Sequence, residues 1–261
     1  MEQITYDFIK DRFGLYLLKV AEKEQYIDEL LAGQVYMKAS GYFRTLEDGF
    51  RGDINDGVRP VDVSTAYMKM KSPEGVWIDM VHSEGMELLK LTQGFVGDDR
   101  VPIFCATLFD DRIIQITGSD TFRIKNHLIE EMSQFGNYVA MISLYEMVKK
   151  INNYSRKYRI SFAYGPVDYL DIMHAYQKKD FLDEKLGILS SFFKKDYSYQ
   201  NQNEWRMLIN SKYGQLDEGT DHTYVYLGKF EYGYKLNLSD FSVGEFQVGE
   251  SGITFHRMLQ Y

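Results

Sequence analysis

The chain has 261 residues, of which 44% are hydrophobic and 26% charged, so it carries enough apolar material to bury a sizeable core. Its formal net charge of −8 argues against sequence-independent binding to nucleic acid, which relies on an excess of cations. The single cysteine, Cys105, excludes an internal disulfide, and its apolar surroundings predict an inert core thiol.

No repeat, low-complexity tract or proline-rich linker interrupts the sequence, which predicts a single domain over residues 1–261. Early acidic residues and the lack of an apolar segment near the N-terminus argue against a signal peptide. No apolar run approaches the length of a membrane span. We therefore expect a cytoplasmic protein with no membrane partner.

The first elements of the chain have the clearest patterns. Residues 15–20 form an apolar run that predicts a strand, and a second strand is predicted from residue 35. The helix predicted between them ends at Gly33, which tolerates the left-handed conformation of a helix stop. Its apolar face consists of Tyr26, Ile27, Leu30 and Leu31.

The rest of the chain reads as many short strands with a few helices. Residues 40–60 are rich in glycine, aspartate and arginine and predict a loop. Further strands are predicted at 61–70, 75–81, 101–109, 138–142, 204–210, 223–227, 234–238, 244–248 and 253–259, and two more around a Gly165-Pro166 turn within 159–170. Helices are predicted from Ser119 or Asp120 to about Phe135, from a capping box at Ser143 and Glu146 to about Asn152, and over 173–191. This order of elements predicts an α+β fold.

A Q-x-E triplet at residues 202–204 is the constellation that most suggests chemistry. A strand would point Gln202 and Glu204 to the same side, because side chains two residues apart share a face. A carboxylate near a ribose can stabilise an oxocarbenium-like state, and a second polar group can orient the attacking group. The alternative is a strand entry whose polar residues simply face water.

Two segments resemble a known family. Residues 15–37 resemble the opening strand, helix and strand of ADP-ribosyltransferases, and Gln202-x-Glu204 is similar to the C-terminal signature of their arginine–serine–glutamate branch. The chain also resembles a group of bacterial and phage-encoded proteins, through the segments Gly33–Met37, Arg51–Gly57 and Tyr197–Arg206.

The resemblance implies an ADP-ribosyltransferase-like α+β fold, with mixed sheets around a central cleft and about four helices. It implies a mono-ADP-ribosyltransferase that transfers ADP-ribose from NAD to a protein or RNA acceptor, as a toxin or an anti-phage defence effector. A cognate inhibitor protein would be a further partner. No metal is implied.

The resemblance also assigns roles to residues of this sequence. Glu204 would stabilise the ribose cation, and Gln202 would position the acceptor. Arg51 or Arg44 would hold the pyrophosphate of NAD, since a guanidinium donates two parallel hydrogen bonds. The remaining NAD-binding residues would be Tyr197 or Tyr199, which would stack on a ring, and Tyr36.

The sequence departs from the family pattern in the half of the site that binds NAD. The family places an arginine or histidine just after the aromatic residue of its first strand, whereas Leu17 and Leu18 follow Tyr16. The family's Ser-Thr-Ser strand has only Ser64-Thr65 as its nearest counterpart. The alternative hypothesis is therefore a catalytically inert relative that binds a partner protein in phage–host conflict.

Two further features have both a functional and a structural interpretation. The loop Arg51–Gly57 suits either a ligand contact or a turn in which aspartate and asparagine side chains bind their own backbone. A basic tract with interleaved tyrosines could bind single-stranded nucleic acid or be a solvated helix end. The tract comprises Lys149, Lys150, Tyr154, Arg156, Lys157, Tyr158 and Arg159.

Overall fold

A computed structural model of the chain describes residues 15–46, 56–57, 59–61, 69–79, 91–93, 97–172, 188–210, 216–217, 219–248 and 253–257. The chain groups into two compact units. The first unit comprises 1–39, 101–166 and 201–261, and the second unit comprises 40–100 and 167–200. Compact units are not necessarily separate domains, so the single domain over 1–261 stays a prediction.

The described residues form 18 strands and five α-helices, a mixed α+β content that confirms the predicted class at this level. The strands are β1 (Tyr16–Ala21), β2 (Gln34–Ala39), β3 (Arg59–Val61), β4 (Lys69–Lys71), β5 (Trp77–Asp79), β6 (Leu91–Gln93), β7 (Pro102–Phe109), β8 (Ile114–Ile116), β9 (Thr121–Ile124), β10 (Tyr138–Ser143), β11 (Phe162–Pro166), β12 (Asp168–Leu170), β13 (Lys194–Asp196), β14 (Glu204–Ile209), β15 (His222–Tyr226), β16 (Gly233–Asn237), β17 (Gly244–Val248) and β18 (Ile253–Arg257). The helices are α1 (Glu24–Leu31), α2 (Ser40–Thr45), α3 (Asn126–Ser133), α4 (Leu144–Tyr158) and α5 (Leu238–Val243), and 3-10 segments cover Asp98–Arg100, Ile188–Phe193 and Tyr197–Gln202.

An eight-stranded antiparallel sheet organises the first unit. Its strands follow the order β11-β14-β7-β1-β10-β16, while β2 also pairs with β7, and β15 pairs with β2. The apolar strand β7 lies at its centre, as its continuous hydrophobic run predicted. One edge of β7 pairs with β14, and the other pairs with β1 at 107–109 and with β2 at 102–103.

Apolar clusters cover the two faces of this sheet. On one face, α1 and α4 bury Ile27 and Ile151 against strand residues such as Phe104. On the other face, a four-stranded sheet of β8, β9, β17 and β18 packs with α3 and α5. There the rings of Phe122 and Phe246 stack with centroids 5.1 Å apart. Burying both faces in this way is the main source of stability for such a fold.

The opening of the chain forms as its pattern predicted. Strand β1, helix α1 and strand β2 follow one another. Of the predicted apolar face, Ile27 and Leu30 are buried and Leu31 is half-buried, whereas Tyr26 is exposed. Gly33 ends the helix with φ of +94°, a conformation that glycine adopts without strain. A Cβ atom at Gly33 would lie 2.3 Å from the backbone carbon of Gly228, so this close approach also requires glycine.

Helix α4 begins where the capping box predicted. The Oγ atom of Ser143 accepts a hydrogen bond from the backbone N–H of Glu146 at 3.4 Å. The Glu146 carboxylate accepts instead from the backbone N–H groups of Glu231 and Tyr232, both at 2.8 Å, so it anchors the turn before β16. The helix runs to Tyr158 rather than to about residue 152.

The helix predicted from residue 119 or 120 to 135 is wrong in its first half. Residues Thr121–Ile124 form strand β9, which pairs with β8 and buries Phe122 and Ile124 on alternate positions. Helix α3 begins only at Asn126. The sequence T-F-R-I alternates apolar and polar side chains with the period of two that is typical of a strand, but it does so over only four residues.

Four other predictions need correction or fall outside the described residues. Residues 40–45 are helical rather than loop, because the dense glycine and aspartate come later than residue 45. Strand β11 continues through Pro166 and strand β12 begins at Asp168, so the predicted turn at 165–166 is wrong and the break between the two strands falls at the buried Val167. The helix predicted over 173–191 lies mostly outside the described residues, as does the strand over 61–70.

The second unit is held by short polar contacts in its described part. Arg44 pairs with Asp98, with Nη1 and Oδ1 3.0 Å apart, and Ser40 Oγ donates a hydrogen bond to the carbonyl of Asp98. Strands β12 and β13 pair in parallel. Within the described parts of the whole chain, no helix is long and apolar enough to cross a membrane.

Candidate functional site

Glu204 is buried and paired with Arg206. Glu204 opens strand β14, and its carboxylate accepts hydrogen bonds from Arg206 Nε at 2.8 Å and from Nη2 at 3.1 Å. The two residues share a face because they are two apart in a strand, and only 7% of Glu204 and 1% of Arg206 are exposed. Both oxygens of the Glu204 carboxylate therefore bind Arg206, although the resemblance assigns this carboxylate to the ribose of NAD.

Gln202 and Glu204 do not belong to one strand. Gln202 ends a 3-10 segment, and Asn203 has a φ of +43°, so strand alternation starts only at Glu204. The geometric premise of the Q-x-E prediction is therefore wrong. Asn203 makes the sharp entry possible, because its Nδ2 atom donates to the carbonyl of Leu108 at 2.6 Å and to Asp110 Oδ1 at 2.8 Å.

A lysine fills the gap where β7 changes partner from β1 to β2. Lys19 Nζ donates to the carbonyl of Cys105 at 2.8 Å and lies 5.4 Å from the centroid of the Phe104 ring. Burial lowers the pKa of Lys19, and the nearby Cys105 and Glu204 counteract part of that effect. Burial likewise raises the pKa of the Cys105 thiol, which fits the predicted inert thiol.

Lys19, Cys105, Glu204 and Arg206 therefore form one polar cluster at the centre of the sheet, in which Glu204 and Arg206 are buried and Lys19 and Cys105 are half-buried. Each charged group in it has an internal partner of opposite charge or a backbone carbonyl. Such a cluster can fix the geometry of a sheet, whereas a catalytic carboxylate must face its substrate. The sequence signal for this pairing was the E-x-R spacing within a strand.

The residues predicted to hold NAD are divided between the units. Arg44, Tyr197 and Tyr199 belong to the second unit, where Arg44 also donates from Nε to the carbonyl of Asp56 at 2.6 Å. The Nζ atom of Lys195 lies 4.5 Å from the centroid of the Tyr199 ring. Tyr197 is exposed, and Arg51 lies outside the described residues. Gln202, Glu204 and Tyr36 belong to the first unit, so neither unit alone contains the whole predicted set.

An exposed row of aromatic rings lies on strands β2 and β15. We call it the tyrosine face and define it as Tyr36, His222, Tyr224 and Tyr226. Successive ring centroids lie 5.3 Å apart for Tyr36 and His222, 5.4 Å for Tyr36 and Tyr224, and 6.5 Å for Tyr224 and Tyr226. The exposed fractions of the three tyrosines are 43%, 38% and 62% in chain order.

Strand alternation creates this face. Val35 and Val225 are directly opposite each other and are both buried, while Tyr36 and Tyr224 are directly opposite each other and both exposed. The sequence held the signal as V-Y-M in one strand and T-Y-V-Y in the other. Recognising it required knowing that these two strands pair.

Asp221 anchors one end of the tyrosine face. Its Oδ1 atom lies 2.6 Å from Nδ1 of His222, and its Oδ2 atom lies 2.6 Å from Nζ of Lys38. The hydrogen bonds from His222 and Lys38 lower the pKa of Asp221 to about 2. The carboxylate therefore stays ionised over the physiological range and holds both neighbouring side chains in place.

The basic tract forms the exposed end of helix α4. Lys150 pairs with Glu146 at 3.4 Å, and Arg156 Nη2 donates to Asn153 Oδ1 at 2.7 Å. Lys157 Nζ lies 4.9 Å from the centroid of the Tyr158 ring. These contacts suit a solvated helix end, and binding of single-stranded nucleic acid stays a prediction.

Among the described residues, no group of three or more histidine, cysteine, aspartate or glutamate side chains is arranged to hold a metal ion. In comparisons with known proteins, no family model, curated protein or solved structure matches the chain.

Proposed function

We propose that the protein is a binding module that engages a partner protein through the tyrosine face. The observation that carries this proposal is the continuous row of exposed rings on β2 and β15. Tyrosine is enriched at protein interfaces because its ring offers a large contact area and its hydroxyl a hydrogen bond. A tyrosine loses little side-chain freedom on binding, since few torsions are fixed.

The face is organised before any partner arrives. Tyr36 contacts both His222 and Tyr224, and Asp221 fixes the imidazole of His222. Below the rings, the buried Val35 and Val225 attach both strands to the core. Rings that are already held in place lose less conformational entropy on binding, which favours affinity.

A protein partner suits this geometry better than a small ligand. The rings lie side by side across two neighbouring strands, and all of them face solvent. Small-molecule sites bury most of their ligand in a concave hollow, whereas protein interfaces use exposed aromatic anchors on broad surfaces. The proposal corresponds to the second of the two hypotheses from the sequence.

The transferase hypothesis stays a prediction, as does the finer arrangement of sheets around an ADP-ribosyltransferase-like cleft. Its requirement is a Glu204 carboxylate that turns away from Arg206 to face the ribose of NAD. The buried bidentate pair opposes that movement, because it would leave Arg206 buried without its carboxylate partner. A role as a toxin or defence effector likewise stays a prediction.

The test compares two triple variants of the whole chain. The face variant carries Tyr36→Ser, Tyr224→Ser and Tyr226→Ser. The control variant carries Tyr26→Ser, Tyr145→Ser and Tyr232→Ser, three exposed tyrosines of the first unit that lie outside the tyrosine face. Proteins captured by the wild type are identified, purified and titrated against all three forms.

We expect an identified partner to bind the wild type and the control variant with similar Kd values. Loss of two or three anchor rings should weaken binding to the face variant by at least about a hundredfold, since each hot-spot residue contributes on the order of 1–2 kcal/mol. A partner that binds the face variant as tightly as the wild type would show that the interface lies elsewhere.

A further inference from the structure

Among the described residues, strand β15 pairs with β2 alone, so its other side is an open edge of the eight-stranded sheet. Leu227 N donates to the carbonyl of Gly33, and Ala39 N donates to the carbonyl of Asp221, both at 2.8 Å. Backbone groups alternate in direction along a strand, so the odd-numbered positions of β15 face β2. The N–H and C=O groups of His222, Tyr224 and Tyr226 therefore point away from the sheet.

The other two edges of this sheet carry features that discourage further pairing. Strand β11 ends in Pro166, which has no N–H to donate. Strand β16 carries Lys235, whose amine lies 2.8 Å from Glu24 and 2.7 Å from Asp28. Charged side chains and proline are the usual protection of a sheet edge. The sequence of β15, H-T-Y-V-Y, contains neither a proline nor a permanently charged residue.

We propose that two copies of the chain pair antiparallel through β15, with Tyr224 at the twofold axis. In this register Tyr224 lies opposite its own counterpart, and His222 lies opposite Tyr226 of the second copy. The positions that face each other are those whose N–H and C=O groups point outward, so all these groups find partners. An isologous contact of this kind closes into a dimer and does not propagate.

Charge and side-chain chemistry support the same register. Each chain has a formal net charge of −8, which repels a second copy, but β15 presents no carboxylate along its length. Cross-strand aromatic pairs stabilise antiparallel strands, and this register forms them between Tyr224 and its counterpart and between His222 and Tyr226. Because the twofold axis is perpendicular to the sheet, the two tyrosine faces join on one side into a single band.

This dimer goes beyond the proposed function and does not depend on it. The dimer depends on backbone hydrogen bonds along the outer edge of β15, to which the ring pairs add, whereas partner binding depends on the solvent-facing surfaces of the rings. Either one can therefore fail while the other holds.

The first experiment measures the mass of the whole chain by sedimentation velocity over a concentration series. We expect the wild type to approach twice the 30.6 kDa of one chain as concentration rises. Tyr224→Pro removes an outward N–H while leaving the hydrogen bonds to β2 in place, so it should stay monomeric with an unchanged circular dichroism spectrum. Tyr224→Phe keeps both ring and N–H and should dimerise like the wild type.

A crosslink tests the register independently of how well Tyr224→Pro folds. Opposed residues in a hydrogen-bonded antiparallel pair have Cα atoms about 5.5 Å apart, which suits a disulfide. Tyr224→Cys should therefore form a disulfide-linked dimer on mild oxidation, and the exposed control Tyr145→Cys should not. A wild type that remains monomeric throughout the series overturns the proposal, as does a dimer that persists in Tyr224→Pro or fails to crosslink through residue 224.

Discussion

The pairing of Glu204 with Arg206 makes a prediction that separates a structural from a catalytic role for the glutamate. The Glu204 side chain is 9% exposed and that of Arg206 is 1% exposed, so both charges are almost fully removed from water. The substitution Glu204→Gln leaves the guanidinium buried without its carboxylate. Breaking a buried ion pair from one side typically costs about 3–5 kcal/mol, because an uncompensated charge remains inside.

Lys19 increases this expected loss. The Glu204 carboxylate raises the pKa of Lys19 against the effect of burial, so the substitution also weakens support for the protonated amine. For a chain of this size, 1 kcal/mol corresponds to about 2–4 °C in Tm, so Glu204→Gln should lower Tm by roughly 10 °C. The measurement is thermal unfolding followed by circular dichroism.

A double-mutant cycle assigns the loss to the pair. Arg206→Met alone should also destabilise the protein, since the Glu204 carboxylate stays buried and loses its ion pair with the arginine. The double variant Glu204→Gln with Arg206→Met should lose less than the sum of the two single changes, with a coupling of about 1–3 kcal/mol. The exposed Glu231→Gln is the matched control and should change stability by less than about 0.5 kcal/mol.

The reasoning is refuted if Glu204→Gln leaves Tm unchanged or raises it. Catalytic residues are commonly held at some cost to stability, so replacing them often stabilises a protein. A stabilised Glu204→Gln variant would therefore restore the transferase hypothesis to first place.

Three further predictions concern ligand binding, backbone conformation and pH. We expect no change in Tm when NAD is added. A ligand that binds the folded protein would raise the free energy of unfolding by about 2.7 kcal/mol at a concentration a hundred times its Kd. A stabilisation by NAD that Glu204→Gln abolishes, together with transfer of labelled ADP-ribose, would establish the transferase instead. Gly33→Ala should lower the free energy of unfolding in urea by at least about 2 kcal/mol, because a strained φ and a clash with Gly228 combine. A Cβ atom at Gly228 would meet open space, so Gly228→Ala should lower the same free energy by only about 1 kcal/mol. Equal losses would show that the clash is relieved. The pKa of Asp221 is lowered in the folded state, so the contribution of its ionised carboxylate to stability is complete above its unfolded pKa near 4 and is lost as pH falls through about 2. Carboxyl carbon NMR should show this low pKa in the wild type and a higher one in Lys38→Met. An unchanged pKa in the variant would contradict the assigned cause.

The local elements of the fold were largely predictable because their causes are local. The β1, α1 and β2 segment combines an apolar run, a helical period and Gly33, and each signal lies within a few residues. The helix prediction is wrong over strand β9 because T-F-R-I is short and adjoins helix α3, whose helical pattern obscures the start of the helix. A period of two over four residues is a weak signal beside a longer helix.

The candidate site was less predictable because it depends on contacts distant in sequence. The Q-x-E interpretation assumed a strand, but the side chain of Asn203 binds Leu108 and Asp110 and turns the backbone just before Glu204. The tyrosine face depends on the pairing of Tyr36 with Tyr224, which are far apart in the chain. Neither contact has a signature in the local sequence.

The sheet of the first unit places charged groups inside and aromatic rings outside, the reverse of the usual preference of these side chains. The interior charges are explained by their mutual contacts, since Arg206 binds Glu204 and Lys19 binds the carbonyl that β7 leaves unpaired between β1 and β2. The exposed rings contact one another, since Tyr36 lies against His222 and Tyr224, and Tyr224 lies against Tyr226, and these contacts leave their outer surfaces exposed to solvent. Rings that are exposed together on an otherwise well-buried sheet are typical of an interface. That asymmetry is why binding at the tyrosine face is preferred to chemistry at Glu204.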